Sequence, residues 1–194
     1  MATKTSNIYQ FKITLKYITP KIWRRIQVPS NYSFWDLHVA IQNAMGWYDC
    51  HLHQFDMKNP RTGFPTIIGT TECDESEEKA KIARYFLPTN KKAIYEYDFG
   101  DLWQHEIVLE KILPAVTGSK YPQCIGGKRA CPPEDCGGPY GYGRLLAIIK
   151  NRKHAEYKET KEWLSDRFDP EDFDPKLVLF EDSKEHKEEK YKFM

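Results

Sequence analysis

The sequence has no long apolar run and no excess of charge of one sign. No stretch is apolar enough to cross a membrane, and residues 1–10 carry no secretion signal. The 29 Lys and Arg residues balance 28 Asp and Glu residues, which gives a net charge of +1. Proteins that bind nucleic acid non-specifically usually carry a basic excess, so the composition does not favour that class. These absences predict a cytoplasmic protein that makes no use of a membrane.

Motifs of the common nucleophilic and nucleotide-binding enzymes are also missing. The chain contains no G-x-S-x-G motif and no Walker P-loop, and residues 126–129 combine glycine with basic residues at the wrong spacing. Cys50 and His51 are neighbours on a predicted strand, where adjacent side chains point to opposite faces. They therefore cannot form a thiolate–imidazolium pair directly. The sequence leaves open whether the protein is an enzyme.

Cysteine is scarce and odd in number, with five residues in the chain. Without a secretion signal, an odd count does not indicate a disulfide framework, and no tight C-x2-4-C pair of a structural zinc site is present. We expect reduced thiols packed under a loop. Alternatively, three thiols and a histidine would complete a zinc site, with His51 or His105 as substitutes for the histidine. The candidate zinc ligands are Cys124, Cys131, Cys136 and His53.

Residues 93–110 show the clearest local pattern in the chain. Apolar and polar residues alternate from 93 to 99 and again from 103 to 110, on either side of Gly100 and Asp101. Two runs of period two around a short glycine-containing turn predict a β-hairpin with one buried face. That face is predicted to contain Ala93, Tyr95, Tyr97, Phe99, Trp103, His105, Ile107 and Leu109.

The N-terminal third predicts two strands, a helix and a third strand. Residues 8–17 and 22–28 alternate as strands, and residues 51–57 form the next one. Between them, Ser33 and Asp36 resemble a capping box, and Gly46 is placed to end the helix. His38 lies on the apolar stripe of this helix, which indicates a packed core histidine. The pattern predicts an α+β fold with a mostly antiparallel sheet, similar at its β-β-α-β start to a β-grasp arrangement.

The domain organisation follows from breaks in these patterns. We predict a single α+β domain over residues 1–180, with C-terminal helices packed as a second layer. Residues 59–92 are predicted to form a surface excursion, and residues 114–138 a long loop rich in Pro, Gly and Cys. Loops of that length are usually functional, held by a ligand, or disordered. Residues 181–194 form a charged tail that we expect to be frayed.

Asp, Glu and His residues occur in three of these segments: the strand of His51 and His53, the turn of the hairpin and the end of the long loop. His51 and His53 share one face of a strand, a spacing that allows two histidines to bind one metal ion. Together with nearby acids, such histidines could support metal-assisted hydrolysis. Alternatively, the acids stabilise turns and helix starts. The candidate catalytic residues are Asp98, Asp101, His105, Glu134 and Asp135.

A binding surface is the other class of site that the sequence offers. Aromatic and basic residues near the second strand suggest contacts with single-stranded nucleic acid or a peptide, although core packing explains most aromatics equally well. Arg24 and Arg25 either face solvent at an edge strand or contact an anion. The candidate binding residues are Trp23, Arg24, His51, His53 and Trp103.

Four motifs occur in one order and together resemble the plasmid pRiA4b ORF-3-like family, whose members occur on plasmids, in mobile elements and on chromosomes. They are WRRIQVP at 23–29, MGWYDCHLHQF at 45–55, YDFGDLWQHEIVLE at 97–110 and CPPEDCGGPYGY at 131–142. The resemblance spans residues 8–174 and implies a cytoplasmic α+β domain without an established biochemical role. The family pattern does not fix cysteine at position 136. The family's marked positions fall on Trp23, Arg24, His51, His53, Asp98, Gly100, Asp101, Trp103, His105, Pro132, Pro133, Glu134, Asp135, Gly137 and Gly138.

These patterns lead to two hypotheses about function. The first is an accessory protein that binds a ligand or a protein, peptide or nucleic-acid partner, without evident catalysis. The second is a metal-dependent hydrolase, either a nuclease or a phosphoesterase, with zinc as a possible metal. In both cases we predict the functional surface where the strand of His51 and His53, the hairpin turn and residues 132–138 meet.

Overall fold

The computed structural model describes residues 7–70, 72–164 and 168–192. An eight-stranded sheet has the strand order β5-β4-β3-β6-β7-β1-β2-β8, and every pair is antiparallel except β4 with β5. The strands are β1 Ile8–Leu15, β2 Trp23–Pro29, β3 His53–Lys58, β4 Pro65–Gly69, β5 Glu75–Ser76, β6 Lys92–Tyr97, β7 Trp103–Leu113 and β8 Gln123–Lys128. The helices are α1 Phe34–Met45, α2 Ile82–Tyr85, α3 Gly138–Lys150, α4 Tyr157–Leu164 and α5 Ser183–Lys192, with a short 3-10 helix at Pro175–Leu177. The predicted α+β class and β-β-α-β start are confirmed.

The central hairpin forms as the alternating pattern predicts. In β6 and β7, Tyr97 pairs with Trp103 and Tyr95 with His105, and all four side chains are buried. The turn is stabilised by the Asp98 carboxylate, which accepts a hydrogen bond of 2.9 Å from the backbone N–H of Gly100. Phe99 lies in the turn and is exposed, because the strand ends at residue 97. The hairpin therefore buries its aromatic face and presents its turn to solvent.

Helix α1 packs against the inner face of the sheet, as its apolar stripe predicts. Ser33 and Asp36 form the predicted capping box, an N-cap that typically contributes about 1 kcal/mol. Gly46 ends the helix with a positive φ of 93°, a conformation that favours glycine. His38 is fully buried in this interface. The helix therefore places a polar imidazole inside the core.

Two segments that we expected to lie outside the sheet belong to it. Residues 59–92 contain β4, β5 and α2, and they contribute Ile68, Ile82 and Phe86 to the core. Residues 114–138 contain β8, which pairs with β2 at the edge of the sheet. Strand β8 is held by pairing with β2, which is distant in sequence, an interaction that local patterning does not show. Strand β4 instead pairs with β3, its neighbour in sequence, in a hairpin that we did not predict. An edge position also explains how a strand can form within a proline-rich segment.

The charged tail is helical rather than frayed. Helix α5 packs on α1, where the indole N–H of Trp35 donates to the Ser183 carbonyl at 2.9 Å. The hydroxyl of Ser183 donates to Asp36 at 2.5 Å, so the residue that caps α1 also anchors α5. Tertiary hydrogen bonds thus order a helix of low intrinsic amphipathicity. No helix within the described residues is both long and apolar enough to span a bilayer.

Candidate functional sites

The two histidines at the start of β3 enter two different environments. His51 lies before the strand and is partly exposed, whereas His53 opens the strand and is buried. Each belongs to a separate group of three potential metal ligands whose atoms lie within 4.8 Å of one another. The two histidines therefore do not converge on one metal ion, as the strand spacing suggested, because His51 lies outside the regular strand.

The first group, His51, Asp98 and Asp135, lies at the surface. Together with the neighbouring Glu134 we call it the acidic notch. The imidazole Nε2 of His51 lies 3.1 Å from the Asp135 carboxylate. The carboxylates of Asp98 and Glu134 lie 3.6 Å and 3.9 Å from the same nitrogen. Among the described residues, this nitrogen forms no hydrogen bond of good geometry. The notch thus brings together the three segments that we predicted to meet.

Backbone geometry holds the acids of the notch in place. Asp98 and Asp135 adopt positive φ values of 57° and 55°, which Asp tolerates better than most residues. Glu134 accepts hydrogen bonds from the Tyr97 hydroxyl at 3.0 Å and the Tyr48 amide at 2.9 Å. These contacts orient the carboxylates before any ligand arrives.

Asp101 connects the hairpin turn to the loop that carries Glu134 and Asp135. Its carboxylate accepts a hydrogen bond of 3.1 Å from the N–H of Gly137. Gly138 has a positive φ of 65°, and a side chain there would collide with the Asp101 carbonyl. Asp101 is therefore a structural link beside the notch.

The notch reaches solvent mainly through Asp135 and continues into a groove, whereas the side chains of Asp98 and Glu134 are 11% and 14% exposed. The Asp135 side chain is 72% exposed and that of His51 is 29% exposed. Burial raises the pKa of Glu134, partly opposed by hydrogen bonds from the Tyr48 amide and the Tyr97 hydroxyl. A groove of about 600 Å³ between α3 and α4 begins at Asp135. Its lining includes Glu156, Glu159 and Glu162.

The second group, His38, Asp49 and His53, lies in the core. Together with Glu77 we call it the buried cluster. The rings of His38 and His53 stack with centroids 3.4 Å apart and planes 3° apart. His53 Nε2 lies 2.5 Å from the Glu77 carboxylate, and His38 Nδ1 lies 2.9 Å from the Tyr95 hydroxyl. His38 Nε2 lies 3.0 Å from Asp49 Oδ1, yet the two are not aligned as a hydrogen bond. Burial lowers the pKa of His38 to about 3, so the imidazole is neutral.

Helix α5 supplies cationic partners for Asp49. Lys190 Nζ and His186 Nε2 lie 2.8 Å and 3.1 Å from Asp49 Oδ2. Burial alone would raise the pKa of Asp49, but contacts with His186, His38 and Lys190 hold it well below its usual range. The contact with Asp49 also raises the pKa of His186. The C-terminal helix thus compensates a charge buried under α1.

Three other predicted site residues are structural elements of the core. Trp103 and His105 are fully buried on the inner face of the hairpin. Arg24 is also buried, donates to the carbonyls of Ala44 at 2.8 Å and Lys128 at 3.2 Å, and stacks on the Phe173 ring. Arg24 thus joins β2 to α1 and β8. These side chains are placed to stabilise the fold rather than to contact a ligand.

Trp23 occupies the opposite, solvent-facing side of β2. The cationic groups of Lys12 and Arg25 lie 5.3 Å and 5.1 Å from its ring. Arg25 is itself paired with Glu110 through contacts of 2.6 Å and 2.9 Å. The solvated interpretation of Arg25 therefore fits its position, and Trp23 stays a candidate for surface contacts.

The predicted cysteine ligands do not gather into a metal group. Neither of the two ligand groups within the described ranges contains a thiol. Burial raises the pKa of Cys136 to about 12 and raises those of Cys124 and Cys131, so all three thiols are protonated near neutral pH. All three side chains are partly buried against the core, the packing that we expected for reduced thiols.

Sequence comparison assigns the chain to a family. The family described as plasmid pRiA4b ORF-3-like protein matches residues 7–177. The chain belongs to this family. The match includes both clusters except for the contribution of α5, which lies beyond residue 177.

Two relatives of the family agree with this assignment. The uncharacterized protein y4hQ of Sinorhizobium fredii is 33% identical over 158 residues, which cover 81% of each chain. A crystal structure of a protein of unknown function from Methanosarcina mazei Go1 is 54% identical, with a TM-score of 0.88. It aligns with 91% of this chain and 100% of its own. The names of these two proteins indicate no ligand and no reaction, so the function must be argued from the sites.

Sequence reasoning missed most of the buried cluster. We interpreted His38 as a core residue, placed Glu77 in a surface excursion and expected the residues of α5 to form a frayed tail. These residues come together only through contacts between distant parts of the chain, such as Asp49 and His186, which are 137 positions apart. The apolar helical stripe interrupted by His38 was the one local sign of a polar core.

Proposed function

We propose that the protein is a cytoplasmic binding module whose acidic notch receives a basic side chain of a protein or peptide partner. The observation that carries the proposal is the convergence of three carboxylates on His51 at the molecular surface. Within the described ranges, no Lys or Arg forms an ion pair with Asp98, Glu134 or Asp135. A cation from a partner would compensate this concentrated negative charge, and Arg or Lys provides one.

The surroundings of the notch favour a polypeptide over an isolated cation. Tyr48 and Leu52 are 80% and 54% exposed, and they flank His51 in sequence. Phe99 and Leu102 are exposed in the adjoining hairpin turn. Aromatic and aliphatic residues near a charged centre are typical of protein-binding surfaces. A partner would thus combine a basic anchor with apolar contacts.

The groove beyond Asp135 is also lined by acidic side chains, so it too should favour a positively charged ligand. Three glutamates line it, and its one arginine, Arg144, is already paired with Glu156 at 2.7 Å. Such a lining repels the phosphates of nucleic acid and attracts basic peptide segments. We therefore favour a peptide or protein over nucleic acid as the partner.

Binding can be tested with peptides of defined charge. We would titrate the isotope-labelled protein with octa-arginine, octa-lysine and octa-glutamate, and follow backbone amide shifts by NMR at physiological salt. We expect both basic peptides to shift the amides of residues 48–52, 98–102 and 134–136, and octa-glutamate to shift none. Shifts spread over all acidic surfaces would contradict a specific notch.

A charge-matched control separates the notch from general electrostatics. The triple variant Asp98→Asn, Glu134→Gln, Asp135→Asn removes three negative charges at the notch. Replacing the exposed Glu185, Glu188 and Glu189 of α5 with Gln removes three charges elsewhere. We expect only the notch variant to weaken peptide binding, by about 10-fold or more, in proportion to the lost charge-assisted contacts. Equal weakening in both variants would overturn the proposal.

A metal-dependent hydrolase is the second candidate, because His51, Asp98 and Asp135 place three potential ligand atoms within 4.8 Å of one another. A divalent ion there would activate water for attack on a phosphoester. The test is release of p-nitrophenolate from bis(p-nitrophenyl) phosphate with Mn²⁺ or Mg²⁺. Turnover that is abolished by His51→Ala and kept in the α5 triple variant would favour this candidate over peptide binding.

A further inference from the structure

We propose that a second cleft, near the acidic notch, binds a proline-rich segment in the polyproline II conformation, next to the basic side chain that the notch receives. This inference rests on the function proposed for the notch and adds the class of peptide that is bound. The cleft has a volume of about 410 Å³ and lies between the turn after β1 and the start of α3. We call it the tyrosine cleft, and it is lined by Tyr17, Pro139, Tyr140, Gly143 and Arg144.

Two exposed aromatic rings form the sides of the tyrosine cleft. Tyr17 and Tyr140 are 70% and 87% exposed, which leaves most of both side chains in contact with solvent. The Tyr140 hydroxyl forms no hydrogen bond within the part of the chain that the structure describes, so it is available as a donor. Tyrosines that combine an apolar ring with a polar tip are enriched at interfaces. The pair therefore has the character of a binding surface.

The backbone at Tyr17 adopts an unusual conformation that core packing does not explain. Its φ of 63° lies in the left-handed region, which is uncommon for a bulky residue, and the side chain is exposed. Two contacts orient the ring: the hydroxyl donates a long hydrogen bond of 3.4 Å to Gln104, and Lys16 Nζ lies 5.0 Å from the ring centroid. Backbone conformations of this kind cluster at ligand-binding sites.

Gly143 keeps the cleft open. It lies in the interior of α3, where glycine destabilises a helix relative to alanine. Its φ is not positive, and a Cβ at this position would meet no atom within 4 Å outside the backbone of its own helix. Neither backbone conformation nor packing therefore requires glycine here. The space that glycine leaves free is part of the tyrosine cleft.

The surroundings of the cleft exclude three other common ways of binding a peptide. Strand addition needs an unpaired strand edge, but β1 is paired on both sides and Tyr140 lies in a helix. A bound helix needs a long apolar groove, whereas two tyrosines, a proline and a glycine are the uncharged residues of the described lining. Phosphorylated motifs need a cluster of free arginines, and Arg144 is already paired with Glu156.

The polyproline II mode agrees with the lining. Proline-rich segments in this conformation dock into grooves lined by aromatic side chains. Their backbone has no internal hydrogen bonds, so its carbonyl groups can accept a hydrogen bond from the Tyr140 hydroxyl. The conformation is largely formed before binding, which lowers the entropic cost of docking into a shallow cleft.

One short peptide can reach both the notch and the cleft. Asp135 of the notch and Tyr140 of the cleft are five positions apart, so their Cα atoms are separated by at most about 18 Å. A polyproline II segment advances about 3.1 Å per residue, so roughly six residues cover this distance. The peptide RAPPAPPAR has a basic residue at each end and therefore suits either direction of binding.

The test uses the full chain, isotope-labelled, and three peptides whose effects on backbone amide shifts are followed by NMR. RAPPAPPAR carries basic residues and proline, RAGSAGSAR lacks proline, and QAPPAPPAQ lacks the basic residues. We expect RAPPAPPAR to bind about 10-fold more tightly than RAGSAGSAR, because its conformation is preorganised and it adds aromatic contacts. We also expect it to shift the amides of residues 16–18 and 140–143 in addition to those of the notch.

The outcomes distinguish the cleft from the notch. Equal binding of RAPPAPPAR and RAGSAGSAR, with shifts confined to the notch, would overturn the tyrosine cleft and leave the function of the notch supported. Shifts at residues 16–18 and 140–143 with both proline peptides, but none at the notch, would support the cleft and contradict the function proposed for the notch. No shifts with any peptide would overturn both.

Two variants address the cleft without changing the notch. Tyr140→Ala removes an exposed ring, and Gly143→Leu places a side chain in the open space of the cleft. We expect each variant to bind RAPPAPPAR only as well as RAGSAGSAR, a loss of about 10-fold. Phe64→Ala is the matched control, because Phe64 is 72% exposed between β3 and β4, and it should keep the wild-type affinity. Wild-type affinity in all three variants would contradict the site.

Discussion

The acidic notch and the buried cluster use the same kinds of side chain in opposite settings. Both combine histidine with Asp and Glu, and their histidines His51 and His53 are separated by a single residue. At the notch, carboxylates face a partly exposed imidazole, and Asp135 faces solvent. In the buried cluster, ring stacking, Tyr95 and α5 enclose the group. Residue type alone thus does not decide a role, because burial and neighbouring partners set the charge state and the accessibility.

Because one region is buried and the other lies at the surface, they also contribute differently to the stability of the fold. An ionisable pair in the core stabilises the fold only if every polar group finds a partner, and breaking it leaves an uncompensated charge. A pair at the surface is weakened by water and salt, and it contributes little to stability. The notch is therefore free to bind a ligand, whereas the buried cluster is tied to folding.

Among substitutions that distinguish the buried cluster from the notch, we expect Glu77→Ala to have the largest effect on stability. The side chains of Glu77 and His53 are each 2% exposed, so the substitution leaves His53 without its buried partner. We expect the free energy of unfolding to fall by about 3–5 kcal/mol. Urea denaturation followed by circular dichroism measures the change. Glu78→Ala is the matched control, because Glu78 pairs with Lys187 near the surface, and its loss should stay below about 1 kcal/mol. An equal fall in the free energy of unfolding for the two variants would contradict the difference that we infer between the buried pair and the surface pair.

The pH dependence of stability provides a further test of burial, at the imidazole of His105. Burial lowers the pKa of His105 to about 4, whereas an unfolded histidine titrates near about 6.5. Below pH of about 6.5 the unfolded chain binds a proton that the folded chain excludes, so stability falls as the pH drops towards 4. His105 should contribute up to about 1.4 kcal/mol per pH unit in that window, and nothing above it.

The measurement is the free energy of unfolding in urea between pH 4 and 7.5 for the wild type and His105→Gln. We expect the variant to lose this part of the acid dependence. His154→Gln, which alters a histidine outside the core, should keep the wild-type slope. An unchanged slope in the His105 variant would show that folding does not lower the pKa of this imidazole.

The smallest change in stability is expected at the notch. His51→Ala removes a partly exposed imidazole that forms no well-aligned hydrogen bond among the described residues. We expect the free energy of unfolding to change by less than about 1 kcal/mol. The same denaturation assay applies, with binding of octa-arginine measured in parallel. A loss as large as that of Glu77→Ala would make the notch a structural element instead of a binding site.

Local patterns were sufficient for the elements that are stabilised locally. The hairpin follows from alternation around Gly100, and α1 follows from the capping box at Ser33 and the left-handed Gly46. Strand β8 had no such local determinant, and the local support of helix α5 is limited to the Asp182 carboxylate, which accepts hydrogen bonds from the N–H groups of Lys184 and Glu185. Their order comes from pairing with β2 and from contacts with α1, between residues far apart in sequence.

The sequence predicted a candidate site only where the motifs that form it lie next to one another in the fold. Three segments were expected to form one surface, and His51, Asp98 and Asp135 meet there. The expected pairing of His51 with His53 failed because the regular strand begins at His53. The buried cluster needs Glu77 and α5, whose positions depend on tertiary packing. Periodicity identifies which face is buried, but it does not identify which polar groups share that interior.

The contacts of α5 have a consequence for the order of events during synthesis. Lys190 and His186 compensate Asp49, although the ribosome makes His186 137 residues later. Until that helix emerges, the nascent chain holds a carboxylate under α1 without its cations. Domains that begin to fold during translation do so from the N-terminal side. The sheet and α1 of this protein can therefore assemble early, while the closure of its interior around Asp49 waits for α5.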